Sequence, residues 1–346
     1  MSLSIFKRLL ILVILLGACA TAGFGWYLHQ MFNRPFADIA SKPEVIDVLP
    51  GDGMYKVCRR MKNAGLIDNV RTFCRVAMWS GYDHVIKGRY QVAQTDTPKS
   101  LLDKMRAGDV ITFSITLIEG HTFKQMRQRI LENSNIVPIL GGLSDSEVMA
   151  RVSGNKDLHP EGQFYPDTYR FSYGVSDLEV LGRAHSKLKS VLESEWQQKA
   201  EGLPYKSAYE ALIMASIVEK ETAVGSERPQ IAKVFVERLK LGMRLQTDPT
   251  VIYGMGDRYQ GNITRRDLKT KTPYNTYRID GLPPTPIAMV GREAIRAALN
   301  PEGERALFFV AKGDGTHYFS KTLQEHNRAV RKYQMRRSSN YRSTPN

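Results

Sequence analysis

The chain has 346 residues, 42% hydrophobic and 24% charged, with 49 Lys and Arg against 35 Asp and Glu for a net charge of +14. Ordinary apolar and charged fractions, with no evident repeat or low-complexity block, suit two domains and a sizeable core. The distribution of charge argues against nucleic acid as a partner. Six of the fourteen net charges, Arg328, Arg331, Lys332, Arg336, Arg337 and Arg342, sit without an acid in residues 328–346, and the others mix with acids rather than with aromatics.

Residues 9–28 carry no charge over 20 positions, the length a helix needs to span a bilayer. Lys7 and Arg8 precede this stretch, and Trp26 and Tyr27 mark its far end. The pattern predicts a single-pass anchor with residues 1–8 in the cytoplasm and the remainder outside. Leu16-Gly17-Ala18-Cys19 resembles a lipoprotein processing site, but the apolar run continues nine residues past Cys19, which favours an anchor.

Residues 29–43 read as a linker with Pro35 and Pro43 as breakers. A strand at 44–49, a helix at 54–64 ending before Gly65, a helix at 71–79 and a strand at 87–92 then make a small βααβ module. A helix at 98–107, with Pro98 near its start, and a strand at 110–118 lead into a larger region. Cys58 and Cys74 fall on the two successive helices, which leaves both a disulfide and two core thiols open.

In the larger region Ser144 with Glu147 and Ser176 with Glu179 match the capping box, so helices begin there, the second running to about residue 199. The next helix is the informative one. On a wheel of about 100° per residue, Ala211, Met214, Ala215 and Val218 share an apolar sector with Glu221, while Glu219 lies at its edge and Lys220 points away. A carboxyl on that face loses hydration of its charged form, which raises its pKa and suits it to general acid work. The same position also suits a helix end paired with Arg228 or Lys220.

Ser226 can cap a following helix through Val234 and Leu239 to a stop at Gly242. Arg244, Gln246, Thr247 and Asp248 then bunch in a loop over 244–250 before the apolar Val251-Ile252-Tyr253, the groups a polyol substrate requires. A second polar and aromatic cluster follows at Tyr274-Asn275-Thr276-Tyr277, then the proline-stiffened Gly281-Leu282-Pro283-Pro284. Residues 313–320 read as a turn entering a strand. The histidines are scattered without a His-Glu-x-x-His run, and there is no nucleophile elbow or phosphate loop, so neither a metal nor a cofactor is expected.

Several blocks together resemble the YceG-like family of endolytic murein transglycosylases. They are Glu161-Gly162 with Phe164-Tyr165-Pro166-Asp167-Thr168-Tyr169, Ala215-Ser216-Ile217-Val218-Glu219-Lys220-Glu221-Thr222, Leu245-Gln246-Thr247-Asp248-Pro249-Thr250-Val251, Tyr274-Asn275-Thr276-Tyr277, Gly281-Leu282-Pro283-Pro284 and His317-Tyr318-Phe319. The resemblance implies an α+β protein: an N-terminal transmembrane helix, a small LysM-like module over 44–115 and a larger mixed α+β catalytic domain over 116–327, with a basic tail at 328–346. It implies a single-pass inner-membrane protein whose periplasmic domain cuts glycan strands between N-acetylmuramic acid and N-acetylglucosamine, leaving 1,6-anhydro ends.

The catalytic acid implied is the second glutamate of the Glu-Lys-Glu block, Glu221. Thr285 stands where the family usually has Gly after the paired prolines. Glu219, Glu227, Gln246, Asp248, Tyr274, Asn275 and His317 are the candidate substrate-binding residues, with a local loop hydrogen bond as the alternative role for each. The expected partners are peptidoglycan strands, the inner membrane, and penicillin-binding proteins or other wall synthases. A non-enzymatic wall-binding scaffold and a hydrolytic muramidase are the competing classes.

Overall fold

The computed structural model describes residues 2–38 and 44–335. It is a mixed α+β fold in two compact units, Met1–Phe113 with Arg170–Gly174, and Ser114–Tyr169 with Val175–Asn346.

The first unit begins with α1 (Ser2–Asn33), of which Phe6–Asn33 is long and apolar enough to cross a membrane. The helix outruns the expected span because nothing breaks it before Pro35, which disfavours helix at the residue ahead of it. The expected linker is therefore partly core: Phe32 and Phe36 are buried, and Phe32 stacks on Phe73 at 4.6 Å. Residues 39–43 of that linker lie outside the described residues.

Strand β1 (Val45–Val48) is followed by α2 (Met54–Asn63), α3 (Val70–Trp79) and β2 (Gly88–Gln91). The two strands pair antiparallel, Val45 opposite Gln91 and Val48 opposite Gly88. Helix α2 buries Met54, Val57, Cys58 and Met61, and α3 buries Phe73, Cys74 and Ala77. Cys58 and Cys74 are both free thiols. Helix α4 (Pro98–Ala107) starts behind Thr97, whose side chain accepts from the Ser100 N–H in a capping box.

Strand β3 (Thr112–Thr116) pairs with β4 (Thr168–Ser172), and between them lie α5 (Phe123–Leu131) and α6 (Asp145–Ser153). Then come α7 (Asp177–Gln197), α8 (Ala208–Glu221), α9 (Arg228–Lys240), α10 (Asp248–Met255), α11 (Arg265–Lys269) and α12 (Arg292–Leu299). The antiparallel pair β5 (Phe308–Ala311) and β6 (His317–Ser320) and α13 (Leu323–Tyr333) complete the described chain. Ser144 and Ser176 cap α6 and α7 with the expected Glu147 and Glu179.

The core of the second unit is built around α8. Every residue from Ala211 to Val218 is buried, so the helix is enclosed on all faces rather than along one sector. Helix α12 packs on it through Ala294, Ala297 and Ala298, whose short side chains allow close approach, and Ile231 and Phe235 of α9 join the same core.

Three boundaries differ from expectation. Ser226 does not cap α9: Gly225–Glu227 form a 3-10 turn, and Pro229 fills the first turn of α9 with no side-chain cap ahead of it. The polar loop is shorter than 244–250, because Pro249 suits a first helical turn and α10 already starts at Asp248. The expected basic tail is helical at its start, since Arg328, Arg331 and Lys332 belong to α13, whose Thr322 and Glu325 form a capping box. Residues 336–346 lie outside the described residues.

Candidate active site

Glu221 is the last residue of α8, and Thr222 leaves the helix in an extended conformation. Its half-buried carboxyl opens into a cleft of about 650 Å³ whose walls include Arg238, Gln246, Asp248, Tyr277 and His317. The Thr247 hydroxyl donates to Glu221 Oε1. Burial pushes the Glu221 carboxyl up to about 7; the Thr247 bond and the Arg238 charge oppose that rise, and Asp248 adds to it. A carboxyl with this pKa can give a proton and take one back near neutrality.

Glu219, two residues earlier, has a different environment. It pairs with Arg228 at 2.9 Å and accepts the Gly291 N–H at 3.1 Å. Burial raises its pKa and the Arg228 guanidinium works against that. The helix-end ion pair that the sequence offered to Glu221 thus belongs to Glu219, and Lys220 instead donates to the Gly120 carbonyl at 3.1 Å. Glu219 and Glu221 still share the wall of a smaller hollow with Arg228 and His317.

Glu227 reaches the cleft through His317. One carboxylate oxygen accepts the His317 backbone N–H at 2.9 Å and the other pairs with Nδ1 at 2.7 Å. This two-point clamp holds the imidazole edge-on to Phe309, with centroids 5.4 Å apart. In the neutral imidazole, an Nδ1–H that donates to Glu227 leaves Nε2 as an acceptor.

Gln246 has φ of 53°, the left-handed region, and among the described residues no other non-glycine has a positive φ. Its N–H donates to the Thr276 carbonyl at 3.2 Å, and its exposed side chain lines the cleft. Asp248, also exposed there, accepts from the Tyr277 hydroxyl at 2.7 Å.

Tyr274 and Asn275 do not line this cleft. Tyr274 packs edge-on against Tyr253 at 4.8 Å and bonds Thr285 Oγ1 at 2.8 Å. Asn275 is buried, its amide donating to the carbonyls of Thr270 and Asp267 at 2.6 and 3.1 Å while Oδ1 accepts the Tyr277 N–H. Both hold the loop that presents Tyr277. Thr285, at the position where the family usually has glycine, also bonds the Pro286 carbonyl, a link that glycine has no side chain to make.

Arg238, Thr247 and Tyr277 line the cleft without being among the candidate site residues that the sequence offers. Thr247 and Tyr277 lay inside conspicuous polar blocks, whereas Arg238 looked like an ordinary basic residue in a last helical turn. Glu161 is not among those candidates either. Burial pushes it up to about 7, and it accepts the Phe123 N–H at 3.0 Å and the Tyr253 hydroxyl at 3.1 Å, away from the cleft. Among the described residues no three His, Cys, Asp or Glu side chains converge to hold a metal ion.

The fold and cleft together define an α+β protein with an apolar N-terminal helix and a polar cleft onto which one half-buried glutamate, Glu221, opens. The chain belongs to the YceG-like family, whose profile matches residues 46–332. It is 31% identical to the endolytic murein transglycosylase of Bacillus subtilis, over 83% of this chain and 84% of that protein. It is 24% identical to the endolytic murein transglycosylase of Streptococcus pneumoniae, over 92% of this chain and 63% of the relative. A solved structure of a YceG-like protein from Listeria monocytogenes superposes with a TM-score of 0.53 at 29% identity, covering 82% of this chain and 97% of that one.

Proposed function

We propose that the chain is a membrane-anchored lytic transglycosylase that cuts peptidoglycan within the strand, between N-acetylmuramic acid and N-acetylglucosamine. The observation that carries this reading is Glu221: a carboxyl that forms no ion pair among the described residues, raised to about 7, in an open polar cleft of a chain whose relatives are named endolytic murein transglycosylases.

The chemistry follows from one carboxyl. Protonated Glu221 donates to the glycosidic oxygen as the bond to C1 breaks. The carboxylate so formed takes the proton of the muramic acid 6-hydroxyl, whose oxygen closes on C1 to give the 1,6-anhydro sugar. The nucleophile is tethered within the substrate, so proximity replaces an enzymatic nucleophile, and exclusion of water favours ring closure over hydrolysis. Thr247 orients the carboxyl from one oxygen. Gln246, Asp248 and His317 bind sugar hydroxyls or N-acetyl groups, Glu227 acts through His317, and Glu219 braces the end of α8.

The rest of the chain suits this role. Helix α1 anchors the protein in the inner membrane, with the N-terminus cytoplasmic and the chain that follows the helix periplasmic. The order β1, α2, α3, β2 with antiparallel strands supports a LysM-like glycan-binding module. Wall synthases such as penicillin-binding proteins are the proposed protein partners, since nascent strands are the substrate.

Asp248 favours a second reading. It is a carboxylate exposed in the same cleft, and two carboxyl groups are the equipment of a hydrolytic muramidase. Chromatography of products from uncrosslinked glycan separates the alternatives. Anhydro ends, lost by about a hundredfold or more in Glu221→Gln, support the lytic reaction. Reducing ends point to hydrolysis, and intact glycan that still binds the protein points to a scaffold.

A further inference from the structure

Arg238 has an unusual position for a cation. It lies on α9 with 7% of its surface exposed and lines the same cleft as Glu221. Nε donates to the Leu307 carbonyl at 2.7 Å, and Nη1 to the carbonyls of Leu245 at 2.7 Å and Arg244 at 3.2 Å, with a longer contact to Gln246 Oε1 at 3.4 Å. These acceptors are all neutral, and the guanidinium sits 5.1 Å over the Phe308 ring. Among the described residues no carboxylate forms an ion pair with it, although a buried charge is ordinarily paired. Burial lowers the Arg238 pKa, which stays far above neutrality in any case.

Two consequences follow from this geometry. The guanidinium fixes the carbonyls of Arg244 and Leu245, and so sets the course of the chain into the left-handed Gln246 and into Thr247, which bonds Glu221. It also puts a positive charge that has no counter-ion among the described residues in the same cleft as a carboxyl that becomes anionic during the proposed reaction. A cation of this kind stabilises the product of proton donation more than the starting acid, which is the differential stabilisation that accelerates a step.

We propose that Arg238 is a positioning residue for Glu221, holding the Arg244–Thr247 segment in place and supplying the fixed charge that the ionised glutamate meets after it has donated its proton. This rests on the lytic reading of the cleft. The charged and titratable groups lining the cleft with Glu221 are Arg238 of α9, Asp248 of α10, Tyr277, His317 of β6 and His326 of α13, and those lining the smaller hollow are Glu119, Glu219, Lys220 and Arg228. Arg228 is paired with Glu219 and Lys220 is bonded to the Gly120 carbonyl, which leaves Arg238 as the permanent positive charge within the cleft.

The test is a pH profile of anhydro-product formation by the full-length protein on uncrosslinked glycan, comparing wild type with Arg238→Met and Arg238→Lys. A nearby cation favours the ionised acid, so removing it raises the pKa of Glu221. The alkaline limb of Arg238→Met is expected to move up by about one pH unit. Its plateau is expected to fall about tenfold, less than when a donor to the reacting atoms is lost. Arg238→Lys should keep the limb of wild type and lose rate through the loosened loop alone.

An unmoved limb in folded Arg238→Met, or a limb displaced equally in Arg238→Lys, overturns the inference. If Arg238→Met fails to fold by circular dichroism, Arg238→Lys decides: a wild-type limb supports the role and a displaced one refutes it. Absence of anhydro product from the wild type would instead refute the proposed activity, so the two failures are distinguishable.

Discussion

Glu219 and Glu221 are two residues apart on one helix, and both are pushed upward in pKa by burial, yet their partners differ. Glu219 is the partner of Arg228, whose Nε is buried without an acceptor. Glu219→Gln therefore leaves a buried cation uncompensated, and chemical denaturation should show a loss of about 3 kcal/mol. Among the described residues Glu221 has no such partner. Its carboxyl titrates at about 7 folded against 4.5 as the ordinary value. A group raised in this way contributes stability that is fully present below the unfolded pKa and is lost as pH rises through the folded one. Glu221→Gln should therefore match the wild type near pH 4 and exceed it near pH 8, by on the order of 1 to 3 kcal/mol, while activity disappears. Urea melts at the two pH values would reveal a variant that is equally stable, or less stable, at the higher pH.

At the scale of elements, the cleft is assembled from ends and turns. Helix α8 supplies its last residue, α10 its first, and the strained Gln246 lies between α9 and α10. A non-glycine in the left-handed region costs about 1 kcal/mol, and such strain persists where the surroundings over-determine it. Gln246→Gly is expected to raise stability by about 0.5 to 1 kcal/mol and lower turnover; a variant that is both more stable and fully active would show that the strain serves nothing. Gly162 presents the opposite constraint. Its φ is +73°, and an added Cβ would lie 2.4 Å from Pro286 Cβ, in a ring that cannot swing aside. Gly162→Ala should cost about 2 kcal/mol or more, read as a lowered midpoint in thermal unfolding.

At the scale of the molecule, the end of helix α1 and the residues just after it are part of the first unit's core. Phe36 is 1% exposed, and Phe32 stacks on Phe73 of α3. Deleting such a ring leaves a cavity as well as lost transfer energy, so Phe36→Ala should destabilise this unit by about 3 kcal/mol. Hydrogen exchange localised to α2, α3 and α4 would report it, and unchanged protection there would contradict this packing. A soluble fragment beginning after residue 44 lacks both rings and should melt below one that begins near residue 29.

Much of the secondary structure was legible in the sequence because it is specified locally. The apolar run of α1, the capping pairs Ser144 with Glu147 and Ser176 with Glu179, and Pro98 at the start of α4 each act within a turn or two of chain. The half-buried position of Glu221 was legible for the same reason, as a carboxyl at the end of an apolar helix, although the wheel gave a sector where the structure has Ala211–Val218 buried all round. What the amino acids by themselves left open were the relations between distant segments. Whether Arg228 pairs with Glu219 or Glu221, which polar residues of the Tyr274–Tyr277 block face the cleft, and whether the chain after the anchor is linker or core all depend on contacts between elements. Arg238 makes the point most plainly: its acceptors at Leu245 and Leu307 are 7 and 69 residues away. Burial and long-range pairing, the two terms that distinguish a buried unpaired cation from a solvated surface arginine, exist only once the chain has folded.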